Sequence, residues 1–351
     1  MDQLTVLALN AGSSSLKAAI YSFTGDVPAD PITPSWTART SGKPEFEPLQ
    51  RSIGPVKIDV VGHRIVHGGS KFRESTFITP EVKAAIVEAG SLAPAHNRIE
   101  IQGMEAVERL LGSAIPQVAV FDTAFHSTLP PAAYVYPGPY SWLEEGIRRY
   151  GFHGINHQYV AGKAARLLDR DLASLRLITC HLGSGCSLAA IRDGICIDTT
   201  MGFTPMEGLM MGTRSGSIDP GIILHLLRHG VSVDRMDEIL NRESGLLGIS
   251  GVSSDMREIL AAMKHGDPRA QLAFDIYVHR IRFNIGALLP ALGRLDALIF
   301  TGGVGENSSA VREAVCRDMD FLGQHQVLVV KAEEEWQIAL ECLRLHSADA
   351  R

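Results

Sequence analysis

The sequence predicts an α/β protein built from two domains of similar design. Three observations carry that expectation. Apolar, strand-like runs alternate with helix-patterned segments along the chain. Gly- and Ser-rich turns follow three of the strands. One of those turns also recurs: Gly12-Ser13 reappears 171 positions later as Gly183-Ser184, and Ala18-Ala19-Ile20 as Ala189-Ala190-Ile191. A spacing that long is not a solenoid repeat. It reads either as chance or as an internal duplication. In the second case each half opens with a phosphate-sized hairpin turn, and the two turns face one another across a cleft.

Taken in order, Leu4–Leu9 is an apolar strand broken by Asn10-Ala-Gly-Ser-Ser-Ser15, and Leu16–Phe23 resumes it. Strand, turn and strand make a hairpin signal. Residues 24–55 are rich in Pro, Gly and polar side chains and predict loops or short edge strands. Ile58–Val61 reads as a buried strand running into Gly62-His-Arg-Ile-Val-His-Gly-Gly69. Pro80–Ala89 and Ile99–Leu111 carry helical patterns, and Val118–Phe121 is a buried strand ending at Asp122. In the second half, Leu177–Cys180 and Leu188–Ile191 flank the turn His181-Leu-Gly-Ser-Gly-Cys-Ser187. Helices are predicted at Ile222–His229, Met236–Asn241, Met256–Lys264 and Pro268–Leu289. Leu295–Phe300 is a strand leading into Thr301-Gly-Gly-Val-Gly-Glu-Asn307, and Glu333–Leu345 a closing helix.

With 351 residues and 45% hydrophobic content, the chain can bury a sizeable core and suits two domains. A net charge of −6 leaves no footprint for nucleic acid or an anionic membrane. No apolar run approaches the roughly 20 residues that span a bilayer. The N-terminus lacks the basic region and small-residue cleavage site of a secretory signal. Five cysteines, odd in number and without a CxxC pair, argue against structural zinc and a disulfide framework. The expectation is a cytoplasmic protein with reduced thiols.

Several segments point to phosphate chemistry. In the turns Asn10–Ser15, His181–Ser187 and Gly302–Asn307, glycine lets the backbone approach an anion and successive N–H groups form a nest. Ser13 and Ser15 add hydroxyl donors and Lys17 adds charge. Each turn alone reads better as an ordinary hairpin; three beside basic residues read as phosphate sites. Neither GxxxxGK[ST] nor a complete GxGxxG occurs, so a P-loop and a Rossmann fingerprint are unsupported. Arg64 and Arg214 sit among glycines directly after apolar segments, where they are surface loop residues or a clamp on a transferring phosphoryl group. Asp122 at a strand tip is a helix N-cap or a base or orienting group. His153 with His157, and His63 with His67, have the four-residue spacing of a zinc pair. Glycines break both segments and no HExxH is present, so a hydrogen-bonding histidine is the better reading. By itself, Glu333-Glu334-Glu335 reads as solvated helix surface.

The segments Leu9–Lys17, Gly62–Gly69, Phe121–His126, Tyr150–Gly154, Met201–Gly216 and Phe300–Asn307, taken together and in this order, resemble the acetate kinase family with its propionate and butyrate kinase relatives. These belong to the wider group of sugar kinases, actin and chaperone ATPases. The resemblance covers nearly the whole chain. It implies two duplicated, ribonuclease H-like (actin-like ATPase) domains with ATP in the cleft between them, one spanning 1–123 plus 336–351 and the other, nucleotide-binding, spanning 124–335. It implies direct in-line transfer of the ATP γ-phosphoryl group to a short-chain carboxylate such as acetate, giving an acyl phosphate and ADP, with Mg2+ and a homodimeric assembly. Asn10, Ser13, Ser15 and Lys17 would line the phosphoryl and metal region. Arg64 and Arg214 would hold the substrate carboxylate and the transferring group, Asp122 would orient Arg or metal, and His153 would stabilise the planar transition state. His181, Gly183, Ser184 and Gly185 would meet the phosphates, while Asp255, Met256, Arg257, Gly303, Val304 and Asn307 would surround the adenosine. Glu334 matches the magnesium-linked acid, with Glu335 one position away. Val66, Ala95, Phe152 and Pro205 would form the acyl pocket.

The chain departs from that pattern in places. Residues after Phe23 are compressed, Ser184 and Cys186 replace the usual Asn and Ser, and Ser217 replaces an acidic residue. Ala95 stands for a leucine, which enlarges the acyl pocket and relaxes specificity, so that propionate and butyrate are accepted well beside acetate. A non-catalytic or different-acceptor paralogue that binds ATP is the alternative, kept open by Ser184 and Ser217. A sugar kinase would leave the two-arginine site without purpose, and a serine hydrolase lacks the GxSxG elbow.

Overall fold

The computed structural model describes residues 3–12, 15–25, 27–41, 46, 53–90, 94–319 and 322–349, with side chains left out at 15, 41, 94–98 and 349. The chain forms two compact units. Unit 1 is Met1–Ser127, Phe152–Tyr159 and Glu333–Arg351; unit 2 is Thr128–Gly151 and Val160–Ala332.

Unit 1 is organised by strands β1 (Leu4–Gly12), β2 (Ser15–Phe23), β3 (Trp36–Ser41), β4 (Val60–Ile65), β5 (Thr76–Phe77) and β6 (Gln117–Phe121), in the order β3-β2-β1-β4-β6-β5. The first three strands pair antiparallel, while β4 and β6 run parallel to β1. A sheet with parallel strands needs cover on both faces, and β1 is accordingly buried from Leu4 to Ala11. On one face Leu7, Leu9, Leu16, Ile20 and Val61 pack with Ala106 and Val107 of the helix Pro94–Leu111. Gly62, next to Val61 and therefore on the opposite face, lies under the helix Glu334–Asp349. A Cβ there would meet Cys342 Sγ at 2.5 Å and Ile338 Cγ2 at 2.6 Å. Glycine is what lets that helix come down onto β4. Trp336 locks the same helix in place with its ring 5.3 Å from Tyr21 and 5.6 Å from Phe23.

Unit 2 repeats the plan. Its strands β7 (Arg176–Leu182), β8 (Cys186–Arg192), β9 (Ile195–Thr199), β10 (Ala297–Thr301) and β11 (Gln326–Val329) lie in the order β11-β10-β7-β8-β9. The strands β9-β8-β7-β10-β11 thus correspond to β3-β2-β1-β4-β6, with the same parallel and antiparallel pairings. The repeated Ala-Ala-Ile falls in β2 and β8, so the echo in the sequence is an echo in the fold. Tyr277, Ile281, Ile285 and Leu288 of the helix Pro268–Leu292 cover this sheet. That helix begins where Asp267 accepts from the Arg269 and Ala270 amides at 2.8 and 3.0 Å, and ends at left-handed Gly293. Two mixed sheets of one topology make the duplicated, actin-like α/β architecture that the resemblance implies.

Residues 36–41 form a short edge strand on β2, one of the two forms expected of residues 24–55. Two elements differ from expectation. Gly154–Leu167 is a helix whose start lies inside a segment read as chemistry. The third glycine-rich turn is itself helical, Gly302–Asn307. Gly302, at φ 79°, turns the chain out of β10, and the Glu306 carboxylate accepts from the Gly302 amide at 2.9 Å to hold the new turn. Among the described residues no helix is long and apolar enough to cross a membrane.

Candidate active site

In unit 1 the chemistry gathers at the carboxyl ends of three adjacent strands, where ligands bind in open α/β sheets. Asn10 lies near the end of β1, Arg64 near the end of β4, and Asp122 directly after β6. Parallel registers that pair Leu9 with His63 and Ile65 with Phe121 bring the three level. Arg64 donates to Asp122 Oδ2 from Nη2 at 2.6 Å and Nε at 3.1 Å, and from Nη1 to Asn10 Oδ1 at 3.0 Å. Asn10 Nδ2 in turn donates to Glu334 Oε2 and Glu335 Oε1, both at 2.7 Å. Lys17, opposite Asn10 in the hairpin, stands 3.8 Å from Glu335.

This network is mostly buried, and burial sets its electrostatics. Burial pushes the Asp122 carboxyl up, opposed by the Arg64 charge and the His153 amide. Burial also works against charge on Arg64, but Asp122 and Glu334 outweigh it and raise the guanidinium pKa. Arg64 is thus a fixed cation, favoured by the charges of two carboxylates, with its position set by Asp122 and Asn10.

His153 is fixed by the same aspartate. Its amide donates to the Asp122 carboxylate, and the next amide, Gly154, donates to the Asp122 carbonyl at 2.9 Å. The residue adopts φ 59°, a left-handed conformation unusual for a side chain with a Cβ. The next position must be glycine, since a Cβ on Gly154 would lie 2.1 Å from the Asp122 carbonyl oxygen.

The other histidines of the two spaced pairs have different tasks. His63 Nε2 donates to Gln117 Oε1 at 2.7 Å, and burial lowers its pKa to about 4, so it stays neutral. His67 Nδ1 accepts from the Gly69 amide at 2.9 Å and its ring meets Phe152 edge-on at 5.4 Å. The His157 ring faces that of His126 at 5.7 Å. Among the described residues no group of three His, Cys, Asp or Glu is placed to hold a metal. A hard cation that takes one or two carboxylates and fills its other positions with water and phosphate has a different requirement. Glu334 and Glu335, converging on one Asn10 amide, fit that donor set.

Unit 2 gathers a second group. The turn Gly183–Gly185 closes with the Gly183 amide on the Gly185 carbonyl at 3.0 Å. A Cβ on Gly183 would lie 3.9 Å from the Gly303 amide nitrogen, so this turn abuts the start of the helix Gly302–Asn307. The Gly212 amide donates to the Ser184 carbonyl at 3.1 Å, and a Cβ on Gly212 would be 3.1 Å from the Ser254 carbonyl. His181, Gly183, Ser184, Gly185, Asp255 and Gly303 therefore belong to one neighbourhood. Asp255 caps the helix Met256–Lys264 through the Arg257 amide and also pairs with the exposed Arg257 guanidinium. Met256 is buried, Val304 lies in the short helix, and Asn307 Nδ2 donates to the Gly303 carbonyl at 2.9 Å. Arg214 donates through Nη1 to the Pro205 carbonyl. Ser217 pairs by its amide and hydroxyl with Gly208, so this departure has a local structural use.

Of the acyl-pocket residues, Val66 and Phe152 are buried in unit 1 and Pro205 lies in unit 2. Ala95 is in the first turn of the helix Pro94–Leu111, with its side chain outside the described residues; Ser13 and the Ser15 side chain are outside them too. Sequence reasoning passed over Glu100. It is 2% exposed, and one oxygen accepts from the Val66 amide at 2.9 Å while the other has no hydrogen-bond partner among the described residues. The signal was helical spacing: Glu100 shares a face with the apolar Met104 and Val107, four and seven positions on, both buried.

Comparison with known proteins gives a consistent answer. Residues 50–339 match the model of the acetokinase family. An acetate kinase of Cyanothece sp. strain PCC 7425 is 52% identical over 402 aligned positions, covering 97% of this chain and 98% of that one. Among solved structures, Porphyromonas gingivalis acetate kinase superposes with a TM-score of 0.86 at 39% identity, over 97% of this chain and 99% of that one. A propionate kinase from Francisella tularensis gives a TM-score of 0.87 at 35% identity, over 96% and 98%.

Proposed function

The chain belongs to the acetokinase family, and from that premise we propose that it transfers the γ-phosphoryl group of ATP to a short-chain carboxylate, acetate or its longer homologues. The observation that carries the reading is the buried Asn10–Arg64–Asp122 network at the ends of β1, β4 and β6. A carboxylate oxygen attacks the γ-phosphorus, the new O–P bond forms, and the bond to the β–γ bridging oxygen breaks with its electron pair leaving on ADP. The nucleophile is already anionic at neutral pH, so no general base is required. What the protein must supply is position and positive charge.

Arg64 suits both tasks, because Asp122 and Asn10 fix its plane and burial strengthens its field. Arg214 is the second cation, anchored on the Pro205 carbonyl. His153, held by Asp122 from two sides, is the donor toward the equatorial oxygens of the transferring group. Lys17, Ser13 and Ser15 belong to the phosphoryl region. In unit 2, His181 and the turn Gly183–Ser184–Gly185 take the phosphates, and Asp255, Met256, Arg257, Gly303, Val304 and Asn307 take the adenosine. Asn10 and Glu334, with Glu335 beside them, would hold Mg2+; when bound, the ion neutralises phosphate charge and fixes the geometry of the triphosphate. A cytoplasmic, homodimeric enzyme completes the proposal. Ile222, Leu224, Leu272 and Phe283 expose apolar side chains on two unit 2 helices that a second copy would cover, a state that light scattering reads directly.

A hydroxamate trap for acyl phosphate tests the activity, with purified protein, Mg-ATP and acetate, propionate or butyrate. Product is expected with a short acid. Arg64→Ala is expected to lower kcat by about 10²-fold or more, the scale of removing one charge-stabilising group from a transition state. Folded protein that binds ATP yet gives no hydroxamate with any of the three acids would remove the proposal.

A further inference from the structure

Outside the residues already assigned, one polar cluster in unit 2 is built around the segment that carries Pro205. The Arg149 guanidinium donates from Nη1 to the carbonyls of Thr200 and Met201 at 3.0 and 2.9 Å, and from Nη2 to Glu207 Oε1 at 2.7 Å. Tyr136 donates its hydroxyl to Glu207 Oε2 and accepts from the Phe203 amide at 2.9 Å. The Tyr150 amide donates to the Gly202 carbonyl at 3.0 Å. Three side chains thus hold residues 200–207 at both ends and in the middle, using charge-assisted bonds that are stronger and more directional than neutral ones. Gly202 lies in the middle of this clasp. A Cβ there would fall 1.7 Å from Glu207 Oε2 and 2.2 Å from the Tyr136 hydroxyl. Backbone and side chains are packed so tightly at this point that the segment has one available path.

The held segment ends in chemistry. Pro205 sits between the Phe203 and Glu207 anchors, and its carbonyl receives the Arg214 guanidinium. A shift of the segment therefore moves Arg214 as well. We propose that Arg149, Glu207 and Tyr136 are positioning residues for acceptor recognition: they set Pro205, and through its carbonyl Arg214, without touching substrate. This inference rests on the acceptor role proposed for Pro205 and Arg214.

Glu207→Gln keeps the size of the side chain and breaks the ion pair with Arg149; Tyr136→Phe removes a single oxygen and is the milder second variant. Both are compared with wild type and with Arg149→Met by the hydroxamate assay, after near-ultraviolet circular dichroism has shown native packing. KM for acetate is expected to rise about tenfold in Glu207→Gln and in Arg149→Met, and less in Tyr136→Phe, since displacement by about 1 Å suffices for effects of this order or larger. KM for ATP should stay within about twofold. The double variant R149M/E207Q should be no worse than its worse parent, because both changes open one clasp. A purely structural role would lower the active fraction and leave KM for acetate alone. Wild type that turns over while every variant keeps its acetate KM, or raises acetate and ATP KM equally, overturns the inference alone. Wild type that makes no acyl phosphate overturns the functional reading and this inference with it.

Discussion

Replacing Glu100 by glutamine should make the protein more stable at pH 8 than the native chain, although it removes a carboxyl group that feels the charge of Arg64. Burial raises the Glu100 pKa from the ordinary 4.5 to about 8, with the Val66 amide and the Arg64 charge opposing and Asp122 adding to the shift. An acid with a raised folded-state pKa keeps its proton in the folded chain after the unfolded chain has lost it. Between pH 4.5 and about 8 the unfolded state therefore binds fewer protons, and stability falls with rising pH. Below 4.5 both states are protonated and the group contributes nothing; above about 8 both are ionised and the loss is complete. At about 1.4 kcal/mol per pH unit, that window corresponds to about 3–5 kcal/mol.

Glutamine cannot ionise, so Glu100→Gln does not incur that loss. Its carbonyl can keep the bond from the Val66 amide, and its NH2 takes the place of an oxygen that lacks a partner among the described residues. Near pH 4.5 the two proteins should therefore differ by about 1 kcal/mol or less, the worth of one altered neutral hydrogen bond. Urea unfolding of both proteins at pH 5, 6.5 and 8, followed by tryptophan fluorescence, to which the buried Trp336 contributes, gives the comparison. The stability difference in favour of Glu100→Gln should grow with each step in pH and reach at least about 2 kcal/mol at pH 8. Titrating groups remote from Glu100 are common to both chains and cancel. Parallel pH profiles would show that Glu100 is ionised or solvated in the folded state, and the reasoning from its burial would fail.

Two further expectations follow from the site. Gly154→Ala drives a methyl group into the Asp122 carbonyl, which must displace the His153 backbone; kcat should fall by about 10²-fold with far-ultraviolet circular dichroism unchanged, and a native kcat would separate His153 from the chemistry. Ala95→Leu should move the preference toward acetate, by about fourfold in kcat/KM per CH2 excluded, since each buried CH2 is worth about 0.8 kcal/mol. A native enzyme whose kcat/KM for acetate clearly exceeds that for both propionate and butyrate would refute the enlarged pocket.

What the sequence reveals here depends on whether a residue's role is local. Asn10, Arg64 and Asp122 were legible because each lies near the end of an apolar strand run, and parallel pairing of β1, β4 and β6 makes strand ends neighbours. The duplication was legible for the same reason: both hairpins need small residues at one turn and Ala-Ala-Ile on the returning strand. Gly302–Asn307 misled because its glycines disfavour a helix in isolation, whereas β10 and the Glu306 carboxylate impose one on them. Glu335 misled in the opposite direction, since nothing in a run of three glutamates says that two of them turn inward to Asn10. Arg149 and Glu207 stand far apart in the chain and carry no spacing rule, so their pairing is fixed only when Tyr136 and Gly202 close around them. On the proposed reading, the residues that touch the reaction are written in local motifs, while those that aim them depend on long-range packing. Tests that mutate motifs alone would therefore miss the residues proposed to position Pro205 and Arg214.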